Sequence, residues 1–185
     1  ECDIVQCGFL FGGEETYSFA EEQKEDKPVL IFDNHTVFDT RKAKIIICAK
    51  LYRKSLFQDI WYPKVSVHDD EFITYKLLYQ AKKIGIIETP YYYYYESPNS
   101  IMRTKKNYYP DNFIQAYDER IEFFKMRNEE DLVLISYREK CIRLMLFYFQ
   151  CFAEKDNEND KDGILDMYKR EYKIACKRRI PPREK

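Results

Sequence analysis

Apolar and polar positions follow two different periods along this chain. Residues 3–11, DIVQCGFLF, make an apolar, β-branched run of strand length that Gly12 and Gly13 break. Residues 16–26 are polar and acidic, 28–32 give a second short apolar run, and 33–40 show no clear period. The stretch 42–60 starts as a strand at 45–47 and turns into a short helix near Ser55, before Pro63 interrupts. Residues 69–83 predict a helix, in which Phe72, Ile73, Leu77, Leu78 and Ala81 make the broad apolar face of a packed element. A strand at 84–88 follows, and Pro90 opens a second one in YYYYYE. Strand, helix and strand in this order predict α/β character up to about residue 103.

Beyond that point the period becomes helical. Phe113, Ala116, Tyr117, Ile121 and Phe124 recur at helix spacing within 107–126, and helices over 131–152 and 161–179 follow. The segment 154–162, EKDNENDKD, joins the last two and is too polar to pack. The expected organisation is an α/β part over 1–103 and a helical carboxy-terminal extension over 104–185, a bundle or cap leaning on the first part. A chain of 185 residues can bury one sizeable core, with about 70% of its extended surface removed from water.

Composition narrows the function classes. Lys and Arg total 31 against 32 for Asp and Glu, a balance that argues against a dedicated nucleic-acid binder. The 17 Tyr and 13 Phe supply enough ring area for a core despite the many charges, which excludes whole-chain disorder. Cys2, Cys7, Cys48, Cys141, Cys151 and Cys176 form no CxxC pair and have no short spacing to histidine. They are expected as reduced, mostly buried small hydrophobes rather than a disulfide framework. There is no basic and apolar leader, and the apolar span around 144–149 is too short to cross a bilayer, so the expectation is a soluble chain. The chain opens at Glu1 without a methionine and runs at once into a strand-like segment, as expected of a fragment of a longer protein or a processed chain.

The helix start at 69 carries the candidate chemistry. Asp69, Asp70 and Glu71 share one turn directly after His68. Negative side chains there meet unpaired N–H groups and the positive end of the helix dipole, worth a few tenths of a kcal/mol to about 1 kcal/mol. Alternatively, one carboxylate at the loop end beside His68 removes a proton from an acceptor hydroxyl, which requires only hydrogen-bond reach. Spacing alone does not choose Asp70 over its neighbours. A zinc site is disfavoured, because four adjacent residues on one turn cannot converge on a metal and His35 is the only other histidine. The tyrosine run offers ring faces to a sugar, with Tyr94 and Tyr95 nearest the strand end, or it packs alternate rings into the core.

AKLYRKSLFQDI at 49–60, then YP and VHDDEFITYKLLYQAKKIGIIETPYYYY within 62–94, then PNSI at 98–101 resemble, in order and spacing, the second half of bacterial family 2 glycosyltransferases. These are enzymes of capsule, lipopolysaccharide and other surface-polysaccharide assembly with the GT-A nucleotide-sugar fold. The resemblance covers 1–103 and implies a partial GT-A-like mixed sheet with helices. It also implies inverting transfer of a sugar from a nucleotide-sugar donor to a saccharide or lipid-linked acceptor. By this resemblance Asp70 takes the position of the general base, within a motif completed by His68, Asp69, Glu71 and Phe72. Lys50 matches a family lysine near the cleft, as a polar or phosphate contact.

Two departures from the family pattern bear on the donor. Relatives hold Mn2+ or Mg2+ and the donor diphosphate on an Asp-x-Asp-type motif within an upstream nucleotide-binding β/α unit. This sequence contains neither, so the metal is expected only in a complete enzyme and no metal ligand is assigned to this chain. Where relatives carry arginines after the tyrosines, this chain has Tyr95 and Ser97, which leaves Ser100 and Arg103 as the matching polar and charged contacts.

The last segment, from Lys173 to the terminal Lys185, holds six basic residues against one acidic residue. It could lean on anionic lipid headgroups at about 1 kcal/mol per basic residue near the surface. The location this implies is cytoplasmic, peripheral at the inner face of the membrane. The 131–152 helix is apolar on several sides, which predicts self-association. The alternative function is a non-catalytic α/β and helical interaction module, a remnant of such an enzyme.

Overall fold

The computed structural model describes residues 1–13, 28–40, 42–64, 68–98, 110–153 and 161–176. The chain divides into two compact units, Glu1–Asn107 and Tyr108–Lys185. The first contains β1 (Ile4–Gly12), β2 (Leu30–Phe32), α1 (Thr36–Asp39), β3 (Lys50–Tyr52), a 3-10 turn (Lys54–Phe57), α2 (Asp69–Gln80) and β4 (Ile84–Tyr95). The second contains α3 (Pro110–Lys125), α4 (Glu130–Ala153) and α5 (Lys161–Ala175). The fold is thus mixed α/β, followed by carboxy-terminal helices.

The four strands form one mixed sheet in the order β2-β4-β1-β3. β1 and β4 run parallel, whereas β2 and β3 pair antiparallel on the outside. Register and the two-residue period sort the side chains into rows. Phe32, Ile84, Ile4 and Tyr52 align across the sheet, as do Leu30, Ile86, Gln6 and Lys50 two residues along. Ile4, Ile84 and Ile86 are buried, together with Phe72, Ile73, Tyr75, Leu77 and Leu78 of α2, and make the core of this unit. The intervening row, Ile31, Gly85, Val5 and Leu51, lies on the opposite face.

Several expectations change in this unit. β4 is one strand of 12 residues, not two, even though Pro90 lies inside it. Pro90 has no N–H to give a ladder, but it pairs with Gly8 at a register shift of β1, where a bulge absorbs it. A Cβ on Gly8 would collide with the Glu88 carbonyl, so the close approach of the two backbones needs glycine at that point. The expected strand at 45–47 is a series of bends, and the strand begins at Lys50 instead. Side chains occupy the backbone groups that a ladder would use. The Gln6 amide donates to the Lys42 carbonyl at 3.0 Å and accepts the Lys44 N–H at 2.7 Å. Lys50 Nζ donates to the Ile46 carbonyl, and Tyr52 Oη donates to the Ile47 carbonyl at 3.2 Å.

The helix expected over 69–83 stops at Gln80. The Asp3 carboxylate accepts the N–H groups of Lys82 at 2.9 Å and Lys83 at 3.2 Å, which draws the chain out of the helix. Within 33–40, Asp33 Oδ1 accepts from the N–H groups of His35 at 2.9 Å and Thr36 at 2.7 Å, and this side-chain cap starts the short α1. The tyrosine run does not split into a buried and an exposed set. None of its five rings is buried, because its strand continues past the core alongside Phe9 and Phe11. All six cysteines are free: Cys141 and Cys151 are buried, Cys2, Cys7 and Cys48 half-buried, and Cys176 exposed.

In the second unit the helical period is realised position by position. Phe113, Ala116, Tyr117, Ile121 and Phe124 of α3 are all buried. The turn into α4 passes through Asn128 at φ 58°, a left-handed position that asparagine tolerates. Charge is buried with the apolar side chains. Lys140 of α4 sits 2.6 Å from Asp118 of α3 and 3.3 Å from Glu171 of α5, while Arg120 bonds Glu139 at 2.8 Å. One buried ammonium therefore ties all three helices together. No helix among the described residues is long and apolar enough to cross a membrane.

Candidate functional site

Asp70 reaches its place because the buried face of α2 leaves the first turn of that helix at the surface of the unit. His68 precedes it in the left-handed region at φ 63° and stands at the N-cap position. Asp69, Asp70 and Glu71 are half-buried in the first turn, as is His68 before it. The Glu71 N–H donates to the His68 carbonyl at 3.1 Å.

The Asp70 carboxylate accepts its own backbone N–H and that of Ile47. Burial raises its pKa from the ordinary carboxylate value and outweighs these bonds; the negative charge of Asp69 adds to the rise, and the positive charge that His68 can carry opposes it. A more basic carboxylate is the better proton acceptor near neutral pH. Asp70 is also the carboxylate of this turn that accepts the Ile47 N–H from the bends before β3.

The bends before β3 supply the Ile47 N–H, and β3 holds those bends. Lys50 and Tyr52 are two apart on the strand, so they share a face, and each takes a carbonyl of the segment. Cys7 adds a third tie through its N–H, which donates to the Ala49 carbonyl at 3.0 Å. Ala49 itself lies at φ 56° in the left-handed region, which turns the chain into β3.

Burial pulls the Lys50 ammonium down to about 8, against the opposing pull of Cys48, Asp70 and Cys7. The Tyr52 hydroxyl is pushed well above its usual range, first by burial and then by Tyr62, Cys48 and Asp70. Its ring meets Phe57 edge-on at 5.4 Å. Tyr62 is raised by burial and by the charges of Asp69 and Asp70. Cys48 is raised by burial, although the Tyr92 hydroxyl bonds it and Lys50 lies near.

The structure therefore brings Lys50, His68, Asp69 and Asp70 together around one carboxylate, with Glu71 on the same turn. Tyr94 and Tyr95 lie at the far end of β4, where Tyr94 packs on Phe11 at 5.3 Å and Tyr95 pairs with Gly12. The tyrosine run reaches the cluster through Tyr92 and its bond to Cys48. Ser100 and Arg103 lie outside the described residues, as does the basic segment after Cys176.

Cys48, Tyr52, Tyr62 and Tyr92 join the cluster without having been singled out by their sequence. Only Tyr52 had a signal, its two-residue offset from Lys50. Among the described residues no group of three or more His, Cys, Asp or Glu is arranged to hold a metal ion. No protein-family model matches the chain, and a search of curated proteins returns no match.

Proposed function

We propose that the α/β unit is the acceptor-side part of an inverting glycosyltransferase of the GT-A type, and that the helical unit is its carboxy-terminal extension. The observation that carries this reading is the Asp70 carboxylate, half-buried at the start of a buried helix, aimed by the Ile47 N–H and made more basic by its surroundings. In the complete enzyme Asp70 accepts the proton of an acceptor hydroxyl as that oxygen attacks the anomeric carbon of a nucleotide-sugar. The bond from that carbon to the diphosphate breaks, the nucleoside diphosphate departs with the bonding electrons, and the anomeric configuration inverts. Lys50 and Tyr52 hold the bends that present the Ile47 N–H, so their part is to position the base.

The donor metal of such enzymes, Mn2+ or Mg2+, has no ligand set among the described residues, and no step is assigned to it. The acceptor is a saccharide or lipid-linked saccharide, the reaction belongs to surface-polysaccharide synthesis, and its place is the cytoplasmic side of the membrane. Replacement of Asp70→Asn in the complete enzyme lowers turnover by about 10²–10⁴-fold. Calorimetry with UDP and manganese then gives donor binding close to that of the parent. Full turnover in the variant rejects the assignment.

A second reading, a non-catalytic interaction module, is favoured by one observation. The row Ile31, Val5 and Leu51 leaves Ile31 51% and Leu51 78% exposed on one sheet face. Sheets with parallel strands are usually covered on both faces. A chain that stays monomeric at all concentrations in size exclusion with light scattering counts against self-association through that face.

A further inference from the structure

The bends before β3 are held from two directions. Lys50 and Tyr52 reach back only 4 and 5 residues, from the strand that directly follows, to the Ile46 and Ile47 carbonyls. Ties that short fix the shape of the bends but move with them. Gln6 holds the other end, from β1. Its amide donates to the Lys42 carbonyl at 3.0 Å and accepts the Lys44 N–H at 2.7 Å, across 36 and 38 residues of chain. Only one orientation of the amide meets a carbonyl with its nitrogen and an N–H with its oxygen, so the two bonds together set where the segment lies.

Gln6 is itself fixed. It is 4% exposed, and it pairs with Ile86 of β4 on one side and Lys50 of β3 on the other, on the strand that lies between those two. The bends thus take their position from the middle of the sheet, while α2, which carries Asp70, buries its apolar face in the core of the same unit. We propose that Gln6 is a positioning residue for Asp70: through the Lys42 carbonyl and the Lys44 N–H it sets the bends so that the Ile47 N–H meets the Asp70 carboxylate. The proposal rests on the glycosyltransferase reading for its catalytic meaning and adds to Lys50 and Tyr52 a residue that acts from β1.

Gln6 is uncharged, so replacing it leaves the charges around Asp70 as they are: Asp69 and His68 on its own turn, Lys50, Cys48 and Tyr52 at β3, and Tyr62. The Ile47 amide is the reporter, because a hydrogen bond to an ionised carboxylate is shorter and stronger than one to its neutral form. In amide NMR spectra of the chain over a pH series, the Ile47 resonance follows the titration of Asp70, and Asp70→Asn abolishes that response. Gln6→Met keeps the side-chain length, removes both bonds and loses most of the Ile47 response, while the N–H groups of His35 and Thr36 still follow Asp33. In the complete enzyme Gln6→Met lowers turnover about 10- to 10²-fold with KM nearly unchanged. The double variant with Asp70→Asn loses no more than Asp70→Asn alone, since both changes act at one group.

A full Ile47 response in Gln6→Met overturns the proposal, as does an Ile47 amide that ignores the Asp70 titration in the parent, or a double variant whose losses multiply. Should Gln6→Met fail to fold, hydrogen exchange in the unaltered chain decides. Lys44 and Ile47 amides that exchange together, as one opening unit, support the proposal, and an Ile47 amide that opens while Lys44 stays protected overturns it. Failure of the underlying reading looks different. An Ile47 response that depends on Gln6, without Asp70-dependent transfer, keeps the positioning of the carboxylate and removes the transferase.

Discussion

Lys50→Met tests how the bends under Asp70 are held. The substitution keeps a long side chain and removes an ammonium that burial has brought from 10.5 to about 8. At about 1.4 kcal/mol per pH unit, burying the charged form costs on the order of 3 kcal/mol at neutral pH. Against this stands the lost hydrogen bond to the Ile46 carbonyl, about 1.5–3 kcal/mol for a charged donor. The two nearly cancel at pH 7, so a single stability value at neutral pH is not diagnostic.

The pH dependence separates them. Between about pH 8 and 10.5 the unfolded chain binds the Lys50 proton and the folded chain does not, so folding stability rises with pH across that window. The parent therefore gains on the variant by on the order of 3 kcal/mol. The assay is urea unfolding at a series of pH values, followed by far-UV circular dichroism. Parallel stability curves for parent and variant across the window refute the buried, bend-holding lysine.

Asp70→Asn is expected to stabilise the fold at neutral pH while it removes turnover. A carboxylate whose folded pKa is raised weakens the fold above the unfolded value of 3.8, and the difference between parent and variant vanishes in acid below it, as read by thermal melts at several pH values. Gly8→Ala forces a Cβ against the Glu88 carbonyl and loses about 1–3 kcal/mol in urea unfolding. Lys140→Ala leaves Glu171 buried without its cation from α4 and loses about 3–5 kcal/mol. The double change Lys140→Met with Glu171→Leu recovers most of that loss, since Asp118 on the other side is largely solvated.

The site was legible in part. Asp70, His68 and Asp69 could be found because a run of carboxylates at a helix start is a local signal, and Lys50 because of its place in a recognisable order of motifs. The supports of Asp70 were not legible in the same way. Ile47 lay in an apolar triplet that reads as a strand, and its N–H becomes available to a carboxylate only because Lys50 and Tyr52 occupy the neighbouring carbonyls. Tyr62 stood in a segment with no period at all.

The sequence by itself determined the long helices after residue 107 and the start of α2. A helix closes its hydrogen bonds within four residues, so the 3.6-residue period of Phe113, Ala116, Tyr117, Ile121 and Phe124 already specifies which face is buried. Tertiary structure decided how β1 and β4 pass Pro90, where β3 begins and which groups surround Asp70. Those outcomes depend on partners far apart in sequence, such as Gln6 and Lys44, which lie 38 residues apart. A strand's hydrogen bonds lie outside its own segment, and a side chain that reaches a backbone group first can take the place of the neighbouring strand.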